Sequence, residues 1–456
     1  MRVKIDPKRM TSLYCTKAQI ITEGAKVDDS KTQIHGKGTL CLAWEIDVAE
    51  SGNYLVAINV ALLGDAVIEF KTDNSSICTD AKATRGYFND PKMNLERIGF
   101  SDCIELGKGT QTIQLEVKCD EFISVSSFEL FPEANKAERD AEIAEALERR
   151  VDISKYGKKG YGFMFHWTGN SFPRYGDQKE YEQAVEDFDT EMFAEQIAQA
   201  GGTFVFLTAN HAIRHFPAPL EVWEKYYPGF TTKRDLIEDL YQSLNKRGID
   251  LMLYVNFTAA YLSSPYANDS ESKSNIEMES VDLDHYMEVA INIFNGIGNR
   301  YGDKVKAYWI DSCYQLDKRF DTVDFKPLYD ASKTGYENRA VSFNFWILPV
   351  STPWNDFWSG ETFRPINVPN SHVPTYGPAK GQNYQELICL EDNWGHFVKD
   401  KPIPDPAYNV EELYDAFAAR NKISGMLTIN PIVYQDGTMS EKAINLLKEL
   451  KSKVYD

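Results

Sequence analysis

The sequence predicts an α/β protein: a (β/α)8 TIM-like barrel, with some helices missing in its second half, preceded by an all-β sandwich domain. Three observations support this prediction. The chain has 456 residues, which is more than one hydrophobic core usually serves, so two domains are expected. Short alternating segments occupy its first part, and from about residue 158 apolar segments alternate with amphipathic ones. No Gly-rich phosphate loop follows any apolar segment, which argues against a doubly wound sheet.

The first domain is predicted over residues 1–133 and the barrel over residues 158–456, with a helical linker at 134–157 between them. Residues 134–150 are strong helix formers with mixed charges three and four positions apart. The phrase Glu50-Ser-Gly-Asn-Tyr-Leu-Val resembles sugar-binding sandwich modules, and a purely structural role for the domain stays open. Clusters of Gly, Asp, Asn and Ser separate its predicted strands, which are Leu40–Ile46, Tyr54–Val60, Ala66–Phe70, Thr112–Val117 and Ile123–Leu130.

The barrel prediction rests on eight apolar segments. Amphipathic helices follow the first four of them, whereas residues 347–385 are rich in Pro, Gly, Asn and Ser and lack helical periodicity. The clearest of these helices are Glu191–Ala200, Arg234–Arg247 and Leu283–Arg300. The predicted strands are Tyr161–Trp167, Thr203–Thr208, Asp250–Asn256, Val305–Asp311, Ala340–Trp346, Asp356–Glu361, Leu387–Glu391 and Met426–Asn430.

The net charge, the lack of long apolar runs and the cysteine content indicate which partners and which cell compartment to expect. The formal charge of −19 disfavours nucleic acid and anionic membranes, because binding to phosphate depends on Lys and Arg. No apolar run is long enough to cross a bilayer, and the N-terminus lacks the apolar run of a signal peptide. Seven cysteines without a CxxC pair favour a reducing compartment, the cytoplasm, unless a leader has been removed from a periplasmic or secreted protein. No metal site and no cofactor are expected.

Polar and aromatic residues stand at the ends of seven of the predicted barrel strands, where the chemistry of such barrels is located. Hydrogen-bonding and ring-stacking groups of this kind suit a polyhydroxylated substrate, and we therefore expect an oligosaccharide or glycoconjugate. The residues are His166, Trp167, Asn210, His211, Tyr254, Asn256, Asp311, Glu361, Glu391, Asp392 and Asn430.

Asp311 directly follows the apolar run Val305-Lys-Ala-Tyr-Trp-Ile. A carboxylate in this position must be hydrogen-bonded, solvated by an open site, or used in chemistry, and a structural cap of the next turn is the alternative. Glycoside hydrolysis needs two carboxyl groups. Three glutamates are candidates for the second, namely Glu361, Glu386 and Glu391.

Seven segments occur in order between residues 160 and 456. They are Gly160-Tyr-Gly-Phe-Met-Phe-His-Trp, Phe193-Ala-Glu-Gln-Ile-Ala-Gln-Ala-Gly-Gly-Thr-Phe-Val-Phe-Leu-Thr-Ala-Asn-His, Lys246-Arg-Gly-Ile-Asp-Leu-Met-Leu-Tyr, Tyr308-Trp-Ile-Asp, Gly360-Glu-Thr-Phe-Arg-Pro, Asn393-Trp-Gly-His and Gly425-Met-Leu-Thr-Ile-Asn-Pro. Together they resemble the catalytic barrel of the α-L-fucosidase family. The resemblance implies that Asp311 is the nucleophile and Glu361 the acid/base. It also implies that His166, Trp167, His211 and Trp394 line the subsite for the terminal sugar.

Four positions depart from the family pattern. Ala212 follows His211 where the family usually has a second histidine, and Asn210 replaces a lysine. His396 replaces a tyrosine, and Ser312 replaces the glycine after the nucleophile. In addition, the β-domain precedes the barrel, whereas the familiar one follows it. These changes leave the two-carboxylate chemistry in place and leave the identity of the sugar open.

The leading hypothesis is a retaining exo-glycoside hydrolase. It would release a terminal α-linked fucose or a related sugar through a covalent glycosyl-aspartate. Asp311 and Glu361 are the expected catalytic residues, and the expected substrate-binding residues are His166, Trp167, Asn210, His211, Tyr254, Asn256, Trp394 and Glu386. A non-catalytic carbohydrate-binding protein on a degenerate barrel is the alternative. A metal-dependent hydrolase that uses the histidines of strands 1 and 2 is a third, more remote reading.

Overall fold

The computed structural model describes residues 2–29, 31–84, 94–211, 214–256, 282–346, 348–365 and 378–456. Ala212 and part of the segment 347–385 lie outside these residues. None of the described helices is long and apolar enough to span a bilayer. All seven cysteines are free thiols.

The described part of the N-terminal region is mostly β, in agreement with the prediction. Its strands are β1 (Val3–Ile5), β2 (Thr11–Tyr14), β3 (Gln19–Ile20), β4 (Lys26–Val27), β5 (Ile34–Val48), β6 (Gly52–Leu62), β7 (Ala66–Lys71), β8 (Ser76–Ala81), β9 (Glu96–Gly99), β10 (Ile104–Leu106) and β11 (Gly109–Pro132). Buried and more exposed side chains alternate along β1, β7 and the first part of β11, which gives these strands one apolar face, whereas β2 and the last part of β11 are buried throughout.

The long strand β11 organises this domain. Its first part lies between β5 and β7, and its last part lies between β6 and β2. Phe128, in the last part of β11, stacks on Phe70 of β7 with ring centroids 4.2 Å apart, so the two halves enclose one core. Two separate strands had been predicted here, at 112–117 and 123–130. They are one strand with an irregularity in pairing between Cys119 and Phe122.

The link to the barrel is made by α1 (Lys136–Arg149) and α2 (Ser154–Lys159). Helix α1 is attached to the barrel because the indole Nε1 of Trp354 donates to Glu142 Oε1 at 2.7 Å. The β-domain also contacts the barrel directly through β2. The Ser12 N–H donates to the Asp321 carbonyl at 2.9 Å, and Lys17 forms an ion pair with Asp321.

Eight parallel strands form the barrel, as predicted. They follow each other around the ring in the order β16-β15-β14-β13-β12-β19-β18-β17. The strands are β12 (Tyr161–Phe165), β13 (Gly202–Asn210), β14 (Asp250–Asn256), β15 (Val305–Asp311), β16 (Ala340–Phe343), β17 (Phe357–Phe363), β18 (Asn383–Cys389) and β19 (Met426–Asn430).

Helices pack outside the ring, with an apolar face towards the strands. They are α3 (Tyr181–Glu186), α4 (Thr190–Gln199), α5 (Glu221–Tyr226), α6 (Leu236–Asn245), α7 (Leu283–Tyr301), α8 (Cys313–Arg319), α9 (Lys326–Ser332), α10 (Val410–Lys422) and α11 (Glu441–Tyr455). The described residues between β16 and β17, and between β17 and β18, contain no helix. The predicted loss of helices in the second half therefore holds for the described residues of these two connections, which leave out 347 and 366–377.

The ring is closed between β16 and β17 by side chains and by one backbone hydrogen bond, from the Asp356 N–H to the Val341 carbonyl at 2.8 Å, instead of a regular ladder. The carboxylate of Asp356 accepts the Val341 N–H at 2.7 Å, and the Asn355 side-chain oxygen accepts the Phe343 N–H at 2.7 Å. Ser342 Oγ donates to the Phe357 carbonyl at 2.8 Å. We refer to this junction, formed by residues 341–343 and 355–357, as the seam.

Candidate active site

Asp311 is the last residue of β15, and the alternation of that strand points it into the mouth of the barrel. Ala307 and Trp309 belong to the core cluster inside the barrel, so Asp311, two residues further on, faces the same way. Four donors surround its carboxylate. Oδ2 accepts the Tyr254 hydroxyl at 2.5 Å and the Asn256 amide at 3.0 Å. Oδ1 accepts the Ser312 N–H at 2.6 Å and the Asn344 amide at 2.8 Å.

Glu361, on β17, lies next to Asp311. Its Oε2 accepts the side-chain amide of Asn344 at 2.8 Å, so one amide nitrogen donates to both carboxyl groups. Burial and, to a smaller extent, the negative charge of Asp311 raise the pKa of Glu361 to about 8, although the Asn344 hydrogen bond acts in the opposite direction. Glu361 therefore holds a proton at neutral pH.

Two histidines and a tyrosine form the neighbouring wall of the site. The ring of Tyr254 lies 5.2 Å from that of His166 and 5.6 Å from that of His211, centroid to centroid. Burial, followed by the neighbouring His211, lowers the pKa of His166 to about 3. His166 is therefore neutral, and its Nδ1 is hydrogen-bonded to Asn430 Oδ1 at 2.6 Å.

Trp394 lies on the other side of His166, with ring centroids 4.8 Å apart. Its carbonyl accepts the Asn430 side-chain amide at 2.9 Å, so Asn430 holds both His166 and the Trp394 loop. Phe363, at the end of β17, packs edge-on against Trp394 at 5.5 Å. Imidazole and indole groups arranged in this way can bind sugar hydroxyl groups and the apolar face of a sugar ring.

Asn210 and Asn256 are buried at adjacent strand ends. The Asn210 amide donates to the Asn256 carbonyl at 2.6 Å. The Asn210 side-chain oxygen has no hydrogen-bond partner among the described residues. Asn256 also donates to the Tyr254 hydroxyl at 3.2 Å and thereby orients it towards Asp311.

Two residues expected to bind substrate lie elsewhere. Trp167 follows the inward-facing His166 and points outward, into the core under the helices, where its Nε1 donates to the Gln435 carbonyl at 2.9 Å. Glu386 precedes the inward-facing Leu387 and is fully buried in an ion pair with Arg420 of α10. Successive side chains along a strand point to opposite faces, so Trp167 and Glu386, each next to an inward-facing residue, point away from the inside of the barrel.

Glu391, the third candidate for the second carboxyl group, is buried beyond the end of β18. Its Oε2 accepts the Ile432 N–H at 2.9 Å, while Oε1 has no partner among the described residues. Burial raises the pKa of Glu391 to about 8. It makes no described contact with Asp311, so its raised proton affinity comes from desolvation and not from a second carboxylate.

The sequence reasoning missed Asn344. It follows β16 directly, and the rule that selected Asp311 and Glu361 would have selected it as the polar residue at the end of strand 5. The aromatic residues on either side, Phe343 and Phe345, made the segment look like a continuous apolar strand.

Backbone conformation also marks this end of the barrel. Four non-glycine residues with positive φ stand at or just after the ends of four successive strands, β15 to β18. Strained backbone of this kind costs free energy and concentrates at functional sites. The residues are Ser312 (65°), Trp346 (55°), Phe363 (61°) and Asp392 (55°).

The described residues contain no cluster of three or more His, Cys, Asp or Glu side chains that could hold a metal ion. His396, expected to replace a family tyrosine, bonds its own loop and the loop that follows β12. Its ring nitrogens lie 3.1 Å from the Phe172 carbonyl and 2.8 Å from the Lys401 carbonyl.

Solved structures of similar fold include an α-L-fucosidase from Bacteroides thetaiotaomicron. It is 16% identical, with a TM-score of 0.49 over 66% of this chain and 72% of that one. The α-L-fucosidase AlfC from Lactobacillus casei, in complex with α-L-fucose, is 16% identical, with a TM-score of 0.47 over 66% and 97% of the two chains. α-L-Fucosidase isoenzyme 1 from Paenibacillus thiaminolyticus is 16% identical, with a TM-score of 0.49 over 68% and 75%.

A search of curated protein sequences gave no match. The family model for α-L-fucosidase, in contrast, matches residues 141–452. This match covers more than half of the chain, including every barrel strand and all the residues of the site described above. The chain therefore belongs to the α-L-fucosidase family and is a glycoside hydrolase.

Proposed function

We propose that this protein is a retaining exo-α-L-fucosidase, which releases a terminal α-linked fucose or a related sugar from an oligosaccharide or glycoconjugate. One observation supports the retaining mechanism above all. Oxygens of Asp311 and Glu361 each lie 2.8 Å from the same amide nitrogen, so they are at most about 5.6 Å (twice that distance) apart. Carboxyl groups are about 5–5.5 Å apart in retaining glycosidases and about 6.5–9.5 Å apart in inverting ones.

In the first step, an oxygen of Asp311 attacks the anomeric carbon. The bond from that carbon to the leaving oxygen breaks, and Glu361 gives its proton to the leaving oxygen. The product is a covalent glycosyl-aspartate. In the second step, Glu361 takes a proton from water, which attacks the same carbon and releases Asp311.

The neighbouring groups suit this cycle. Asp311 accepts four hydrogen bonds, which fix its orientation. Glu361 keeps its proton at neutral pH until the leaving group needs it. His166 is neutral, so it offers hydrogen bonds to a sugar hydroxyl without placing a second positive charge beside the developing oxocarbenium ion.

The first test is a screen of aryl α-L-fucosides and α-galactosides, followed by Asp311→Ala. We expect hydrolysis of the fucoside by the wild type and a loss of at least about 10⁴-fold in Asp311→Ala. Azide should partly restore turnover by entering the space left by the carboxylate, and NMR should identify the product as the glycosyl azide of inverted configuration. Unchanged activity in Asp311→Ala would sink the assignment of the nucleophile.

The second test addresses the acid/base. Glu361→Ala should hydrolyse 2,4-dinitrophenyl fucoside much faster than a natural disaccharide, because a good leaving group needs no proton. Glu391→Gln is the matched control, since it removes a carboxyl group of similarly raised pKa that makes no described contact with Asp311. If the glutamine variant shows the leaving-group dependence and Glu361→Ala does not, the two glutamates have been assigned the wrong way round.

A further inference from the structure

Asn344 lies at the centre of the proposed active site. Its side chain is fully buried at the end of β16, between β15, which presents Asp311, and β17, which presents Glu361. Its amide nitrogen Nδ2 donates to Asp311 Oδ1 and to Glu361 Oε2, and the nitrogen-to-oxygen distance is 2.8 Å in both cases.

The orientation of the amide is fixed by donors on its other side. Asn344 Oδ1 accepts the Trp346 N–H at 2.8 Å and the Ser359 hydroxyl at 3.4 Å. A flipped amide would put its NH2 group against these two donors and its oxygen against two carboxyl groups. The hydrogen-bond network therefore selects the arrangement in which the nitrogen faces Asp311 and Glu361.

The backbone of this segment is also tied to the nucleophile strand. The Asn344 N–H donates to the Ile310 carbonyl at 2.7 Å, one residue before Asp311. Trp346, which fixes the amide oxygen, adopts φ 55°, a conformation that a tryptophan rarely takes. The strained backbone at Trp346 costs free energy, and it places the Trp346 N–H where it holds the Asn344 side-chain amide in one orientation.

We propose that Asn344 is a positioning residue, which sets the separation and orientation of Asp311 and Glu361 in both steps of the reaction. The inference rests on the proposed retaining function and goes beyond it, since it assigns a role to a residue outside the carboxyl pair. In the first step the amide holds the Asp311 carboxylate in position through its Oδ1 atom. In the second step it stabilises the ionised form of Glu361 that accepts the proton of water.

The electrostatics of Glu361 give the proposal a measurable consequence. The titratable groups that interact with Glu361 are Asp311 on β15, Tyr254 on β14 and Cys389 on β18. Burial raises the pKa of both the phenol and the thiol, so these two groups stay neutral and Asp311 is the charge that matters. The Asn344 hydrogen bond lowers the pKa of Glu361, and its removal should therefore raise it.

The test compares Asn344→Ala with Asn355→Ala. Asn355 is an equally buried asparagine that links β16 to β17 but contacts neither carboxyl group, because it bonds the Phe343 N–H and the Phe357 carbonyl. We expect Asn344→Ala to lower kcat on an aryl fucoside by about 100-fold, with KM changed less than about threefold. The basic limb of its pH–rate profile should move up by about one pH unit, the equivalent of one charge-assisted hydrogen bond. Asn355→Ala should lower the melting temperature and leave the limb in place.

The titration of Glu361 is also measured without substrate, from the ¹³C carboxyl signal in glutamate-labelled protein that disappears in Glu361→Gln. A higher midpoint in Asn344→Ala than in the wild type supports the proposed role of Asn344, even if the protein hydrolyses no fucoside. A lack of fucoside hydrolysis would count against the proposed function instead. The role of Asn344 is overturned if the midpoint in Asn344→Ala equals that of the wild type, or if Asn355→Ala shifts the midpoint by the same amount. If the alanine variant does not fold, the isosteric Asn344→Asp is measured instead. Its added carboxyl group must move the midpoint further up, and an unmoved midpoint overturns the proposal in the same way.

Discussion

Ser312 follows Asp311 directly and has a left-handed backbone conformation, with φ 65° and ψ 19°. In this conformation its N–H points back at Asp311 Oδ1, 2.6 Å away. A residue with a Cβ atom loses about 1–2 kcal/mol there, whereas glycine loses little. This difference explains why a glycine, which the resemblance to the α-L-fucosidase family places here, suits the position. Ser312 directs its N–H at Asp311 in the same conformation, but with backbone strain.

Replacing Ser312 tests this reading. Ser312→Gly should keep kcat within about threefold and change the free energy of unfolding by less than about 1 kcal/mol, because relief of strain offsets the greater entropy of unfolded glycine. Ser312→Val should lose about 1–3 kcal/mol and most of the activity, since a β-branched side chain opposes φ 65°. Chemical denaturation and aryl fucoside kinetics measure both effects. A valine variant as active and stable as the wild type contradicts the account.

Glu391 gives the protein a predictable dependence of stability on pH. Its carboxyl group is protonated in the folded protein up to about pH 8 but loses its proton near pH 4.5 when unfolded. The folded state thus binds more protons between these values, and stability falls as pH rises through that window. The contribution is about 1.4 kcal/mol per pH unit.

Glu391→Gln should remove this contribution, because the amide oxygen can still accept the Ile432 N–H and no longer titrates. We expect the free energy of unfolding to fall less steeply between pH 5 and pH 8 in the variant than in the wild type, as measured by urea denaturation. The exposed Glu105 provides a control, since Glu105→Gln should leave the slope unchanged. Parallel slopes for wild type and Glu391→Gln would rule out a neutral buried Glu391.

Strands β16 and β17 meet at the seam, where a buried charged network replaces the ladder. Asp356 Oδ2 accepts Lys333 Nζ and the Val341 N–H at 2.7 Å each. Its Oδ1 accepts the Tyr329 hydroxyl at 2.8 Å and the Val151 N–H at 3.0 Å. Every partner is a donor, so one aspartate both closes the ring and anchors the linker beside α2.

Loss of Asp356 should be costly for this reason. Asp356→Ala leaves Lys333, whose side chain is 2% exposed, as an unpaired buried cation, and we expect a loss of about 3–5 kcal/mol. Asp405→Ala breaks an ion pair whose side chains are 68% and 69% exposed, and it should cost no more than about 1 kcal/mol. Thermal and urea unfolding compare the two. Equal losses would mean that the network does not close the ring.

A comparison of the predicted and observed strands shows which parts of the fold could be predicted from the sequence. All eight barrel strands could be predicted, because buried parallel strands are continuous apolar runs. Strand β18 begins at Asn383, four residues before its predicted start, since Asn383 and Gln385 interrupt the apolar pattern. Glu386 and Trp167 were expected at the site because their residue types fit it, although alternation from Leu387 and His166 turns both outward. The Asn344 bridge depends on contact between strands distant in sequence, which a single sequence does not reveal.

At the scale of the whole molecule, the β-domain braces the segment behind the nucleophile. Helix α8 begins two residues after Asp311, and the residues that follow it are bound to β2 and its surroundings. Besides the contacts of Ser12 and Lys17 with Asp321, the Thr322 hydroxyl donates to the Met10 carbonyl at 3.2 Å. We therefore propose that the domain predicted at 1–133 acts as a structural brace of the barrel.

Lys17→Ala should loosen this brace. The Lys17 and Asp321 side chains are 13% and 27% exposed, so we expect a loss of about 1–3 kcal/mol and faster amide hydrogen exchange in α8. Lys82→Ala, in the same domain, breaks a pair whose side chains are 87% and 62% exposed and should change neither quantity. Hydrogen exchange followed by mass spectrometry resolves the two helices α8 and α11, and α11 should be unaffected. Exchange in α8 that is equal in wild type and Lys17→Ala would speak against the brace.

The seam has a stereochemical consequence. Asp311 belongs to the arc of the ring on one side of it and Glu361 to the arc on the other, so Asp356, which holds the two arcs together, also limits the gap that Asn344 bridges between the two carboxyl groups. A widening of little more than about 1 Å would bring that gap into the range of inverting glycosidases, where a water molecule fits between substrate and base. In the proposed retaining mechanism, closure of the ring by Asp356 therefore bears on which anomer leaves the enzyme. Asp356→Ala is the change to combine with analysis of product configuration.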